Sequence, residues 1–496
     1  MPGRTVSAPG EREQGAPRPP GGQPGGPDKI TWEDTLPREY ETVKLTGEGP
    51  FILASGETLP EVELAYETWG RLNAERDNVI LVCHALTGDS HVASHPDRRD
   101  SVPGWWEEMV GPGKPLDTGK YFVLCSNVLG GCRGSTGPRS PHPQDGKPYG
   151  RRFPVITVRD MVRAQYRLLR HLGLRRIHLV IGGSLGGMQV LEWAATYPHL
   201  VDGALVIAAP ERTGAQALAY HATQRQAILL AGPREGLALA RMLGMITYQS
   251  WESMERKFGR EAGVPAESPD REAGETYGPV FARPWEPFFQ VEHYLHYQGQ
   301  KLVARFAADT YLYLSRAMDL HDIGWRRGGL PAVLPTLTMP LLVVGISSDI
   351  CFPAREVRRL PEALARLGQP ARYVEIDSPW GHDAFLVEPE TVGAIVREFL
   401  NELEAAGRAT TGVWTGSQEA EAARDRKADG KASRAAVPAT DAFLRGRDLQ
   451  AEPVSPARTA FPREAPNPAP SGLPLRSPRG RSSVPVHSPA GVDAGE

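Results

Sequence analysis

The stretch "HLVIGGSLGGMQVLEW", residues 178–193, decides the fold. An apolar run ending at Ile181 turns through Gly182-Gly183-Ser184-Leu185-Gly186-Gly187, and a segment with helical apolar spacing follows. Small residues two before and two after a serine permit a sharp, strained strand-to-helix turn that exposes the hydroxyl. In a chain with 53 glycines, G-x-S-x-G spacing also arises by chance. Its weight here comes from the strand pattern before it and the helix pattern behind it. Ser184 is therefore the candidate nucleophile.

Outward from that turn, strand-like runs alternate with helix-like stretches. "NVILVCHAL" (78–86), "YFVLCSNVLG" (121–130), "GALVIAAP" (203–210), "PLLVVGISSD" (340–349) and "ARYVEIDSP" (371–379) are short, β-branched and bounded by Gly, Pro or Asp. Continuous apolar runs of this kind suit strands buried on both faces. "VRDMVRAQYRLLRHLGL" (158–174) and "PAREVRRLPEALARLG" (353–368) have helical periodicity, and "VGAIVREFLNELEAA" (392–406) closes the pattern. The alternation predicts an α/β architecture, a mostly parallel sheet flanked by helices. Residues 211–330 break it. They are mostly helix-like and predict an inserted helical lid over the C-terminal edge of the sheet.

The 496-residue chain holds less folded mass than its length suggests. Residues 1–29 are rich in Pro, Gly and Arg, and 405–496 in Ala, Pro, Ser, Arg and Glu. Such segments bury too little apolar surface to offset their ordering entropy. The expectation is a folded domain over 30–404 between disordered N-terminal and C-terminal tails. A net charge of −3 points to no nucleic-acid partner. No apolar run approaches the ~18 residues of a membrane span, and the N-terminus lacks the apolar core of a signal peptide. Cys83, Cys125, Cys132 and Cys351 show no C-x-x-C spacing. They predict reduced, buried thiols in a cytoplasmic protein, with no metal site.

A serine hydroxyl needs a base. With the nucleophile on such an elbow, the acid and base follow it in the order Ser…Asp/Glu…His. Asp349 ends the strand "LLVVGISSD", and His382 lies after the next strand in "DSPWGHDAF". Ser184 would attack, His382 would shuttle the proton and Asp349 would orient the imidazole. An oxyanion hole requires two backbone N–H donors. Leu185, directly after the nucleophile, supplies one. The loop "VCHALTGDSH" (82–91) supplies the other, from Leu86 or alternatively Thr87.

"HALTGDSHVAS", "NVLGGCRGSTGP", "GGSLGGMQVLEW", "QRQAI", "GISSDICFP" and "WGHDAF" together resemble the homoserine O-acetyltransferases, α/β-hydrolase-fold acyltransferases of methionine biosynthesis. The resemblance spans about residues 36–404. It implies a ping-pong reaction. Acetyl-CoA, a co-substrate rather than a bound cofactor, acylates Ser184, and the hydroxyl of L-homoserine then takes the acetyl group. It matches the family's triad to Ser184, Asp349 and His382. It matches acceptor-binding residues to Arg241, in "EGLALARML", and Asp383. An arginine suits an α-carboxylate, and an aspartate suits an α-ammonium. The resemblance further implies a homodimer through the lid.

Two features bear on specificity. Only "LLAGPR" (229–234) stands where family members carry a longer segment, so the lid is shortened near the acceptor site. No cation follows Asp349 until Arg355, which favours acetyl over succinyl as the acyl group, since a buried succinyl carboxylate would lack a partner. L-serine as acceptor, succinyl-CoA as donor, or water as acceptor in a serine esterase are the competing readings, because the triad serves them all.

Overall fold

A computed structural model of the chain describes residues 4–7, 40–45, 49–95, 102–262 and 284–410. Its centre is a nine-stranded sheet: β1 (Arg4–Ser7), β2 (Glu41–Lys44), β3 (Glu63–Trp69), β4 (Val79–Cys83), β5 (Phe122–Ser126), β6 (Leu179–Gly183), β7 (Ala204–Ile207), β8 (Leu341–Ile346) and β9 (Ala371–Asp377). Their order across the sheet is β1-β9-β8-β7-β6-β4-β5-β3-β2. Seven neighbouring strands, from β1 to β5 in that order, run parallel. Strand β3 joins β5 antiparallel, and β2 joins β3 antiparallel.

Most of the apolar runs predicted as doubly buried strands are so, but β9 is not: Ile376 is its one fully buried residue, and Arg372 and Asp377 are exposed. Every residue of β4, β6, β7 and β8 is buried. Successive side chains point to opposite faces. Leu81, Val180, Val206 and Val343 therefore enter one core, while Ile80, Val82, Ile181, Leu205 and Val344 enter another on the far face. Helices α1 (Val158–His171) and α2 (Leu185–Thr196) cover the first face through Met161, Leu168, Met188 and Trp193. A capping box between Thr157 and Asp160 starts α1.

The inserted region between β7 and β8 holds α3 (Ala215–Ala231), α4 (Glu235–Tyr248), α5 (Trp251–Phe258), α6 (Gln290–Val303) and α7 (Ala308–Asp319). The short "LLAGPR" segment is a tight joint. Helix α3 stops at Gly232, whose φ of 87° is the left-handed region glycine favours, and α4 begins at Glu235. The long C-terminal helix α8 (Pro389–Thr410) covers the second face with Val396, Phe399, Leu400 and Leu403.

Both expected domain boundaries differ from the structure. Residues 4–7, inside the supposed N-terminal tail, form β1 and pair with Val374–Asp377 of β9. Compositional reasoning missed this because "RTVS" is extended and β-branched at its centre, and the edge of β9 offers unpaired backbone groups to any such segment. At the other end, α8 continues past residue 404 to Thr410. The expected disorder of 8–29 and 411–496 concerns residues outside those described.

Candidate active site

The turn after β6 has the steric basis its sequence predicts. Ser184 sits at φ 58°, ψ −124°, a backbone conformation rare for a non-glycine residue. A Cβ on Gly182 would lie 2.6 Å from the Cys83 carbonyl oxygen, and one on Gly186 would lie 2.1 Å from it. Both glycines are thus required by the close approach of β4. The Ser184 amide donates to the Ile207 carbonyl at 2.9 Å, and its carbonyl accepts from Met188 at 3.0 Å, which fixes the turn between β7 and α2.

Asp349 lies three residues beyond β8, and His382 in a single 3₁₀ turn (Gly381–Asp383) after β9. The structure joins them. His382 Nδ1–H donates to Asp349 Oδ2 at 2.6 Å, with both side chains almost fully buried. The other carboxylate oxygen, Oδ1, accepts from the amides of Cys351 (2.8 Å) and Phe352 (2.9 Å), so the carboxylate cannot rotate away. The Asp349 bond assigns the proton to Nδ1 and leaves Nε2 with a lone pair. That Nε2 is buried and has no hydrogen-bond partner among the described residues. A buried polar atom left open is costly in a structural histidine and required in a general base. Burial alone would lower the His382 pKa. The Asp349 carboxylate, by charge and hydrogen bond, and the nearby Asp383 outweigh it, so the imidazole is more basic than an ordinary histidine.

The expected oxyanion donors lie on elements flanking the elbow. Leu185 is the first residue of α2, where the helix N-terminus favours negative charge. Leu86 is buried in the loop after β4. Neither amide donates a hydrogen bond among the described residues. The loop itself is tied down. His84 donates from Nδ1 to the Ala85 carbonyl at 2.8 Å and accepts at Nε2 from the Val128 amide at 3.1 Å. Gln189 of α2 donates to the His84 carbonyl at 3.1 Å, and Arg305 to the Thr87 carbonyl at 2.7 Å.

Arg241 and Asp383 converge on the histidine from the lid and from the His382 turn. The Arg241 guanidinium lies 5.7 Å from the Tyr248 ring centroid, and that ring lies 5.8 Å from the His382 ring. Phe352 and Phe385 complete the wall around His382. Arg241 makes no ion pair with Asp383 or with any other described residue. Burial raises the Asp383 pKa, against the pull of His382, Arg241, Gln249 and Lys257. A cation and an anion that share a site without neutralising each other suit a zwitterionic ligand.

Sequence reasoning missed a second buried cluster behind the loop. Glu67 of β3 accepts from His91 Nδ1 (2.8 Å), His95 Nε2 (3.1 Å) and Ser90 Oγ (2.8 Å). Burial would raise this carboxyl, but the three hydrogen bonds outweigh it and hold it down at about 2. The ligating atoms of Glu67, His91 and His95 lie within 4.8 Å of one another, a set that could hold a divalent cation only by giving up the ring protons now aimed at the carboxylate. "GDSH" marks the loop, but nothing local in the sequence connects it to Glu67, 24 residues earlier than His91. The four cysteines are free and buried, as expected.

Against known proteins, residues 78–389 match the family model of the alpha/beta hydrolase fold. The chain is 52% identical over 380 residues to the homoserine O-acetyltransferase of Symbiobacterium thermophilum, covering 74% of this chain and 96% of that one. It is 47% identical over 370 residues to that of Carboxydothermus hydrogenoformans, covering 72% and 94%. Among solved structures, homoserine O-acetyltransferase from Bacillus anthracis superposes with a TM-score of 0.64 at 28% identity over 73% of this chain and 97% of that one. Esterase E22 also superposes at 0.64, with 25% identity over 73% and 99%. The sequence relatives and the geometry around Ser184 agree, and the chain belongs to the homoserine O-acetyltransferase family of α/β-hydrolase-fold proteins.

Proposed function

We propose that this protein transfers the acetyl group of acetyl-CoA to the side-chain hydroxyl of L-homoserine through a Ser184 acyl-enzyme. In the first half-reaction His382 Nε2 takes the Ser184 hydroxyl proton as the oxygen attacks the thioester carbonyl. The amides of Leu185 and Leu86 stabilise the oxyanion. Asp349 stabilises the imidazolium, which returns the proton to the departing thiolate. In the second half, His382 takes the proton of the homoserine hydroxyl as that oxygen attacks the acyl-enzyme. Collapse releases O-acetylhomoserine and returns the proton to Ser184. Arg241 binds the acceptor's α-carboxylate and Asp383 its α-ammonium.

The observation that carries transfer rather than hydrolysis is the unneutralised pair of Arg241 and Asp383 beside His382, since water needs neither charge. The fold shared with esterase E22 supports the competing esterase reading. Measuring thiol release from acetyl-CoA decides between them. Release after the first turnover depends on L-homoserine if the proposal holds, and proceeds without it if the protein is a hydrolase. The same assay with succinyl-CoA and L-serine tests the narrower specificity. We further propose a cytoplasmic homodimer associating through the lid. Leu230 and Trp251 there are 84% and 78% exposed, and a partner would cover them. No described helix is long and apolar enough to cross a membrane.

A further inference from the structure

Between Arg241 and Asp383 lies a residue with no role so far. Gln249 caps the C-terminus of α4, the helix that carries Arg241 eight residues, or about 12 Å, earlier. Its side chain is buried, 3% exposed. Gln249 Nε2 donates to Asp383 Oδ2 at 2.9 Å. Its Oε1 accepts from Lys257 Nζ at 2.6 Å and from Ser253 Oγ at 2.6 Å, both on α5. An ammonium can only donate and a carboxylate can only accept, so the amide has one allowed orientation. Lys257 is itself seated, its ammonium 5.1 Å from the Trp380 ring centroid.

The Asp383 carboxylate makes no other hydrogen bond among the described residues, and Gln249 is what sets its rotamer. The backbone reinforces the arrangement. Gly381 has φ 69°, and a Cβ there would lie 2.6 Å from the Ser250 amide nitrogen, so the His382–Asp383 turn is pressed against the Gln249–Ser250 joint. The lid joint and the catalytic turn are therefore one packed unit.

We infer that Lys257 and Gln249 form a positioning relay that aims Asp383 at the acceptor's α-ammonium and makes the second half-reaction selective for amino-acid hydroxyls. The inference rests on the acyl-transfer reading above. The relay makes no hydrogen bond to Ser184 or His382, so acyl-enzyme formation should survive its loss.

The experiment uses the full chain and compares two acceptors, L-homoserine and 4-hydroxybutanoate, which lacks only the α-ammonium. Thiol release in the first turnover with acetyl-CoA is followed in parallel. Wild type should prefer L-homoserine in kcat/KM. Gln249→Leu should keep the thiol burst and lose about tenfold of that preference, through KM for L-homoserine, the scale of one charge-assisted hydrogen bond. Lys257→Met should lose less, because Ser253 still holds Oε1. A preserved preference in Gln249→Leu with its burst intact overturns the relay. Should Gln249→Leu lose the burst through misfolding, Lys257→Met on the exposed helix surface decides instead, and an unchanged preference there overturns the relay. A wild type indifferent to L-homoserine would overturn the acyl-transfer reading and not the relay specifically.

Discussion

Two of the buried histidine–carboxylate pairs, His382–Asp349 and His91–Glu67, differ at the far ring nitrogen. In His382–Asp349 (2.6 Å) the far ring nitrogen is open. In His91–Glu67 (2.8 Å) the far nitrogen donates to the Val102 carbonyl at 3.1 Å. Both His91 nitrogens thus face acceptor oxygens, and neither is left open. With neither nitrogen open, His91 fastens the loop after β4 to Glu67, whereas the open Nε2 of His382 suits a base. Proximity of a histidine to a carboxylate does not identify a base; the state of the second nitrogen does.

The sharpest way to break this contrast is mutation of the proposed triad. Ser184→Ala should lower acetyl-CoA turnover by roughly 10⁶-fold, with no acyl-enzyme detectable by mass spectrometry. Asp349→Asn should follow at about 10⁴-fold in kcat, because the amide can donate to Nδ1 and so favours the wrong tautomer. Glu67→Gln, the matching change in the fastening pair, should cost no more than about tenfold in kcat and appear instead as a lower melting temperature. A kcat loss for Glu67→Gln equal to that of Asp349→Asn would show that both pairs serve the chemistry.

The pairs also separate along pH. His382 must be neutral to act, and Asp349 raises its pKa, so kcat/KM should fall with acidification through a limb above the ordinary histidine value. Glu67 has its pKa depressed to about 2. The stability it contributes is present above the unfolded-state carboxyl pKa of ~4.5 and lost as pH falls toward 2. Activity should therefore vanish by about pH 5 while circular dichroism still reports a folded protein. Simultaneous loss of both signals would contradict the assignment. The smallest expected effect belongs to Arg241→Lys. It keeps the charge and removes the bidentate fork, for about tenfold in KM for L-homoserine with kcat little changed.

What the sequence made legible follows from the range of each interaction. The elbow, the buried strands and the order of Ser184, Asp349 and His382 are local patterns placed at strand ends, and each reads from a short window. Glu67 meets His91 across two strands, and Gln249 meets Asp383 over 134 positions of chain. Neither contact has periodicity or spacing to betray it. Strand β1 was hidden for another reason. Four residues carry no core of their own, and only the waiting edge of β9 makes them a strand.

The elbow glycines have a consequence for how such a protein can change. Gly182 and Gly186 abut a backbone carbonyl, Cys83 O, which no rotamer change can move. The groups proposed to hold the acceptor, Arg241 and Asp383, are side chains on a lid helix and a short turn. Under selection for a new acceptor, those side chains can be traded one at a time, while any residue larger than glycine at the elbow forces β4 and α2 apart. Directed evolution of this chain should therefore yield altered acceptor preference from libraries in the lid and the 381–383 turn, and only inactive clones from libraries at 182 and 186.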